Sequence, residues 1–377
     1  MKKAICVSAF DSYSYNVRIK HVEKVLKTKG YEVLIVTSNY DHLLKEDYQT
    51  ERSGTVLVDV PKYKSNLSLK RLWSHYCFAK QSYQFVKEKS PDLVYVSGPP
   101  NSLYKFFNLY KKNNPKIKVI FDIVDLWPES IPLNDKLLSL LSMPMNLWRK
   151  LRDNNLSLVD HVIFECNLYK KKIDFLDNCI TLYLCKEDCN CKVVPIRDMS
   201  EIKILYLGSI NNIIDINLII NLLTRLREKK KIVFHIVGNG EYKENFINQL
   251  QQNKICYQYH GVIYDSNEKE KIFKECHFAL NMMKNIVCVG ATMKSIDYLN
   301  YGVPMINSIP GDIMDFIEQY NCGINLCTNN IEDVVDEIIH MSSDDNYNLR
   351  INAQKLFYDK FSVDVFEEKF DNLIDHL

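Results

Sequence analysis

The sequence predicts two doubly wound α/β domains in tandem, each a parallel sheet covered by helices on both faces. Three observations predict it. The chain has 377 residues, more than one ordinary hydrophobic core spans, so two domains of roughly 150–200 residues are expected. Short, near-continuous apolar runs alternate with stretches of helical period, as in strands buried on both faces. Between two such series lies "CKEDCNCKVVPIRDMS" (185–200), which lacks clear periodicity.

The elements follow in order. "KAICVSA" reads as a first strand, a helical stretch runs from Asn16 to Lys29, and "YEVLIVTS" is the next strand. "TVLVDV", "PDLVYVSG", "KVIFDIVD" and "DHVIFE" continue the series, with helix-like segments between several of them. The second series comprises "IKILYLG", "KIVFHIVGNG", "YQYHGV", "FALNMM", "VPMINS" and "GINL". The last thirty residues look like two successive amphipathic helices. Placing the division between about Cys179 and Ser200 gives a first domain of residues 1–180, joined by a C-terminal helix at about 358–377, and a second of 181–357. Two such domains leave a cleft at the carboxyl ends of their strands, where ligands bind in these sheets.

Apolar residues make up 46% and charged residues 25% of the chain, as in an ordinary water-exposed globular protein. The twelve cysteines are scattered, and "MKKAICVSAF" reads as a strand because its apolar stretch is too short for a signal-peptide core. Free thiols in a reducing cytoplasm are expected. No run approaches the roughly 18–20 apolar residues of a membrane span. Charge is unevenly divided. Lys and Arg outnumber Asp and Glu by 28 to 19 over residues 1–180, whereas Asp and Glu lead by 28 to 20 over 181–377. A basic first half suits an anionic partner (nucleic acid, an anionic membrane surface or a phosphorylated substrate) or is simply a solvated basic face.

Three segments of the second half should end at its cleft. "ILYLGSINN" runs into Gly208 and Ser209, and "FHIVGNGEY" ends in Gly238, Asn239 and Gly240. Glycines after strands permit tight turns and close backbone approach to a ligand, though each is also compatible with a plain turn. The third segment is "GATMKSIDYLNYGVPMI" (290–306). If Thr292, Met293 and Lys294 open a helix, its free N–H groups and dipole form an anion site, to which Lys294 adds a full charge and Thr292 a hydroxyl. Asp297, one turn further in, can accept two hydroxyl hydrogen bonds, as a ribose diol would supply. The alternative is an exposed Lys294–Asp297 pair, worth a few tenths of a kcal/mol.

"ATMKSIDYLNYGVPMI" resembles the donor-binding segment of GT-B glycosyltransferases, in the family-4-like branch that builds bacterial capsule, exopolysaccharide and O-antigen. The order of "YLGSI", "HIVGNGE" and "HGVIYDS" around it is similar as well. The resemblance covers nearly the whole chain and implies a GT-B fold of two Rossmann-like domains. It implies a nucleotide-diphospho-sugar, a UDP- or GDP-sugar, on the second domain, with the ribose on Asp297, the base by the loop around Val262, and the diphosphate over Thr292–Lys294 near Ser209. It implies no metal and no separate cofactor. Many relatives carry an Arg and a Lys after the strand matching "YLGS"; here Ser209 and Ile214-Asp215 stand there. Of the frequent E-x7-E pair, Asp297 fills the second place and Val289 the first.

In the first half, "KVIFDIVDLWPES" resembles the D-x-x-D-L-W-P-E-S segment of the same branch. Its strand carries Asp122 and Asp125 to its end, and Pro128 suits a helix first turn. Asp125 fits an acid–base or charge-stabilising role on an acceptor hydroxyl, and equally an N-cap. Glu129 has the same two readings, catalysis or helix-dipole stabilisation. Tyr13, Tyr15 and Arg18 in the first loop suit the acceptor side or packing. Segments 63–80 and 133–152 gather leucines, tryptophans and basic residues, fitting a membrane interface or a core-facing helix, and Pro144 should break the second into two pieces. Cys185, Cys189 and Cys191 lack the paired C-x-x-C spacing of a metal site.

Together these features lead to the expectation of a cytoplasmic glycosyltransferase, peripheral to the plasma membrane, with a lipid-linked saccharide or growing polysaccharide as acceptor and no nucleic-acid partner. Catalysis would rest on Asp125, Lys294 and Glu129. A nucleotide-sugar epimerase of similar shape and a non-catalytic partner subunit are the alternatives.

Overall fold

The computed structural model of the chain describes every residue except 13–17, 67, 132 and 134, and every side chain of the rest but those of 135, 136 and 138. The contacts divide into two compact units, Met1–Leu184 with Phe366–Leu377, and Cys185–Val365.

The first unit runs β1 (Lys2–Ser8), α1 (Ile19–Thr28), β2 (Tyr31–Ser38), a short antiparallel pair β3 (Tyr40–Asp41) and β4 (Glu46–Asp47), β5 (Thr55–Val58), α2 (Leu69–Lys89), β6 (Leu93–Gly98), α3 (Ser102–Asn113), β7 (Lys118–Ile123), α4 (Asp135–Leu140), α5 (Ser142–Asp153), β8 (His161–Phe164), α6 (Asn167–Lys172) and β9 (Cys179–Thr181). Seven strands form one parallel sheet in the order β5-β2-β1-β6-β7-β8-β9. Its central strands are apolar at most positions, so Val94, Val96, Val119, Phe121 and Ile163 are sealed from water on both faces.

The second unit runs β10 (Glu201–Leu207), α7 (Ile216–Lys229), β11 (Lys231–Val237), α8 (Lys243–Gln252), β12 (Tyr257–Gly261), α9 (Ser266–Glu275), β13 (Phe278–Asn281), α10 (Met293–Asn300), β14 (Met305–Asn307), α11 (Asp312–Tyr320), β15 (Gly323–Asn325), α12 (Ile331–His340) and α13 (Ser343–Lys360). Its six strands are parallel in the order β12-β11-β10-β13-β14-β15. Ile204, Phe234, Ile236, Phe278 and Leu280 meet Leu222, Leu226 and Phe246 from the covering helices in one core. Side-chain caps start several helices: Asp215 Oδ1 accepts from Leu218 N at 3.0 Å and Asp265 Oδ1 from Glu268 N at 2.8 Å.

The last helix, α14 (Val363–Asp375), closes on the first unit. Phe370 is fully buried with its ring 5.8 Å from that of Tyr95, and Lys29 Nζ lies 2.8 Å from Asp371 and 2.7 Å from Asp375.

Local expectations are corrected at two prolines. Residues 127–130 form a turn, with Ser130 N donating to Leu126 O, so Pro128 opens no helix. Pro144 lies in the first turn of α5, where its missing N–H costs nothing, and the break between α4 and α5 falls at Leu141 instead.

Candidate functional site

The second sheet reverses its strand order between β10 and β13, the place where open α/β sheets take ligands. The strand ends there are tied by backbone hydrogen bonds: Gly208 N to Val237 O at 2.9 Å, Ile210 N to Asn239 O at 2.9 Å, and Gly238 N to Gly261 O at 2.7 Å. The glycines are dictated by this approach. A Cβ on Gly238, whose φ is +143°, would lie 1.9 Å from Gly208 O, and one on Gly240 would lie 2.2 Å from Ile210 O. Gly208, also at positive φ, leaves Ser209 exposed beside it, and Asn239 and Val262 are exposed as well.

Thr292 caps α10. Its hydroxyl accepts from Ser295 N at 3.1 Å and donates to Asn281 Oδ1 at 3.0 Å, while Ser295 Oγ accepts from Thr292 N at 3.0 Å. The expected hydroxyl donor to a ligand is therefore already engaged. Among the described residues nothing accepts from the N–H groups of Met293 and Lys294 at the helix tip. Lys294 itself is 8% exposed, with Nζ 4.9 Å from the centre of the Tyr206 ring. Among the described residues no carboxylate pairs with it, and burial lowers its amine to about 7. Asp297 makes no pair with Lys294; its Oδ1 holds Lys186 Nζ at 2.6 Å. Asp215 serves as the N-cap of α7.

In the first unit the sheet reverses between β1 and β6. The segments leaving β1, β6 and β7 there enclose a cavity of about 200 Å³, with Asp125, Arg71, His42 and Trp127 in its lining. Asp125 accepts from Trp127 Nε1 at 2.6 Å and from Ser130 Oγ, and the residues just after it, 127–130, form a turn where a capped helix was expected. Burial raises its carboxyl, against those donors and Arg71. Glu129 is fixed by a fork from Arg152, Nη1 to Oε2 at 2.8 Å and Nη2 to Oε1 at 2.9 Å, and by Arg149 Nε at 2.8 Å. Burial would raise the Glu129 carboxyl, but the hydrogen bonds and charge of Arg152 hold it below the ordinary range. These partners place Glu129 in an ion-pair cluster and not at a helix tip.

Tyr13 and Tyr15 lie outside the described residues. Arg18 is buried: Nε donates to Asp122 Oδ2 at 2.7 Å, Nη2 to Asp122 Oδ1 at 3.0 Å and Nη1 to Leu182 O at 2.8 Å. Tyr95 Oη donates to the same carboxylate. Asp122 and Arg18 thus lock β7 to the start of α1. Among the described residues no group of three His, Cys, Asp or Glu side chains is placed to hold a metal ion.

Sequence reasoning passed over Lys186, which reaches Asp297 from 111 residues away, and Arg71, which lay unremarked in an apolar-basic stretch. Neither pairing has a local pattern to announce it.

Residues 192–355 match the family described as Glycosyl transferases group 1. No curated protein sequence matches the chain. Among solved structures, sucrose-phosphate synthase from Thermosynechococcus elongatus superposes with a TM-score of 0.74 at 10% identity, over 100% of this chain and 99% of that one. The lipopolysaccharide outer core galactosyltransferase WaaB, in its apo form, gives 0.69 at 17% identity over 100% of both chains. HepE of Anabaena, in complex with UDP and glucose, gives 0.67 at 11% identity over 100% of both.

Proposed function

We propose, from the premise that this GT-B chain carries a glycosyl transferases group 1 domain over residues 192–355, that it moves one sugar from a nucleotide-diphospho-sugar onto a lipid-linked saccharide or growing surface polysaccharide. The second unit takes the donor and the first unit the acceptor. One observation carries the donor assignment: Lys294 is buried at the tip of α10, beside Gly208, with no counter-ion among the described residues. An uncompensated buried cation is costly. A diphosphate supplies the missing charge and also takes the open N–H groups of Met293 and Lys294.

Each side chain then has a task. Lys294 and the helix tip neutralise the leaving diphosphate, where negative charge grows as the glycosidic bond breaks. Asp297, steadied by Lys186, accepts from the ribose hydroxyls. Asp125, raised by burial, takes the proton of the acceptor hydroxyl or steadies positive charge on the sugar. HepE was solved with UDP and glucose, in keeping with a UDP-sugar as donor here. Glu129 acts from behind, by fixing Arg152 and the turn that presents Asp125.

Peripheral membrane association belongs to the same reading. Leu69, Leu72 and Trp73 of α2 are exposed, as are Leu140 at the end of α4 and Met143 and Leu147 of α5, in the more basic half of the chain. No described helix is long and apolar enough to cross a membrane. An anionic lipid surface covers both apolar and basic groups of this kind.

The test is thermal unfolding with UDP, GDP, dTDP, ADP and NAD, on the native chain and on Lys294→Ala. Ligand at about 100 times its dissociation constant adds roughly 2.7 kcal/mol, a shift of several degrees. One nucleoside diphosphate should produce it and lose it in the variant. No shift from any would remove the donor assignment.

A further inference from the structure

The cavity of the first unit contains a second buried cation that, among the described residues, has no carboxylate in ion-pair contact; Asp125 acts on it only from a distance. Arg71, on α2, is 9% exposed and lines the cavity together with Asp125. Its guanidinium lies 4.4 Å from the centre of the Trp127 ring and 5.8 Å from that of Tyr63. Nη1 donates to Asn66 O at 2.7 Å, Nε to His75 Nε2 at 3.4 Å, and Nη2 lies 3.5 Å from His42 Nε2. Every one of these partners is neutral. Burial lowers His42 to about 3 and His75 well below its ordinary value, and the Arg71 charge pushes both the same way.

A second cation stands beside the first. Lys45 Nζ is 2.5 Å from Asn66 Oδ1, bonded to His42 O, and 5.1 Å from the Tyr63 ring centre. Asp125 is the acidic residue in the lining; its two oxygens are turned to Trp127 Nε1 and Ser130 Oγ, so it acts on Arg71 through space and makes no ion pair with it. Among the described residues no carboxylate comes within ion-pair distance of Arg71 or Lys45. Of the remaining walls, Phe10, Leu43, Pro99, Val124 and Trp127 are apolar and Ser8, Ser12 and Ser97 carry hydroxyls, so a charge placed there is less screened than in water.

We infer that this cavity is an anion subsite for the acceptor: the molecule glycosylated at Asp125 carries a phosphate or carboxylate close to the reacting hydroxyl, and Arg71 binds that group. A planar fork stacked on an aromatic ring is preorganised for an oxyacid, which it meets with parallel N–H donors. The neutral imidazoles of His42 and His75 keep the guanidinium in place without satisfying its charge. Calling the ligand an acceptor rests on the glycosyl-transfer reading above; the anion site rests on Arg71 and its surroundings. Two sources fit the shared chemistry, the diphosphate of a lipid carrier and the carboxylate of an acidic sugar.

The experiment uses the full chain carrying Lys294→Ala, so that the donor site adds no anion binding of its own. Inorganic pyrophosphate, D-glucuronate and neutral methyl glucoside are titrated by calorimetry, with and without Arg71→Gln. The expected result is binding of one of the two anions, weakened at least tenfold by Arg71→Gln, and no comparable effect on methyl glucoside. Pyrophosphate as the ligand identifies the lipid-carrier source, and glucuronate the acidic sugar. Failure of both anions to bind, or binding indifferent to Arg71→Gln, overturns the inference. Should Arg71→Gln fail to fold, Arg71→Lys replaces it; that variant keeps the charge, loses the fork and should bind with intermediate affinity, whereas native-like affinity overturns the inference. Failure of the donor reading is separate, since it shows as nucleoside diphosphate binding that Lys294→Ala leaves unchanged.

Discussion

Lys294 Nζ rests 4.9 Å from the centre of the Tyr206 ring, at the end of β10, and that ring face is the closest thing to a negative partner the described residues give it. A cation over an aromatic face gains about 0.5–2 kcal/mol, far less than desolvating an ammonium costs. Lys294→Ala should therefore abolish the thermal shift from nucleoside diphosphates while leaving the ligand-free unfolding midpoint equal or higher. A midpoint several degrees lower would mean that Lys294 holds the fold instead.

The same burial gives a pH dependence. Folding lowers the Lys294 amine to about 7, below the unfolded value of about 10.4. Between those values the unfolded chain holds a proton that the folded chain has released, so this group makes stability rise with pH across that window. A bound diphosphate restores the proton. Nucleotide affinity should then fall above pH 7, by up to about tenfold per unit. Calorimetric titrations from pH 6.5 to 9 on native and Lys294→Ala chains measure it, and equal slopes for both would exclude Lys294 as the titrating group.

Asp125→Asn should reduce the transfer rate by about a hundredfold or more, the usual contribution of a positioned acid or base. Nucleotide-induced thermal shifts should persist, because the proposed donor site at Lys294 lies in the other unit. Wild-type turnover in this variant would reduce Asp125 to a brace for Trp127 and Ser130.

Glu129→Ala takes the forked carboxylate from Arg152, which is 1% exposed and keeps Asp153 Oδ1 at 2.8 Å from its Nε. Removing one partner of a buried pair costs about 3–5 kcal/mol; with Asp153 still in place the loss should fall at or below the lower end of that range, to be read from urea unfolding. Glu129 sits below its ordinary range when folded, so its stabilisation is full above the unfolded value near 4.3 and disappears as pH falls through the folded one. An unfolding curve for Glu129→Ala that matches the native protein would remove the cluster from the account.

The triple variant Leu140→Ser, Met143→Ser, Leu147→Ser should lose at least tenfold in cosedimentation with vesicles rich in phosphatidylglycerol, since each apolar side chain withdrawn from lipid forfeits about 1.5–3 kcal/mol. Folding should be unaffected, because all three are more than half exposed. Native protein that ignores such vesicles would end the membrane proposal.

Most of the architecture was legible because it is written locally. A mostly apolar "LVYVSG" or "KVIFDI" points to a strand buried on both faces, and Thr292 before an apolar helical stretch announces a cap. What was not legible depends on residues far apart in sequence. Nothing near Asp297 points to Lys186, nothing near Glu129 points to Arg152, and Arg71 sits in a stretch whose leucines and tryptophan suggest a membrane-facing helix. Arg71 acquires its meaning only when β3, the loop after it and β7 bring His42, Lys45 and Trp127 around it. Pro128 misled for a related reason: its preference for a helix first turn is real but weak, and the Asp125–Trp127–Ser130 hydrogen bonds close a turn there first.

The return of α14 has a consequence for biosynthesis. Phe366 and Phe370, which fill space against His21 and Tyr95, leave the ribosome roughly 10–40 s after Leu184 at ordinary elongation rates. During that interval the first unit exists as a nascent body with an uncovered apolar seam and with Lys29 still lacking Asp371 and Asp375. Holdase chaperones have their opportunity in this window, and a premature stop anywhere in the second half damages the first.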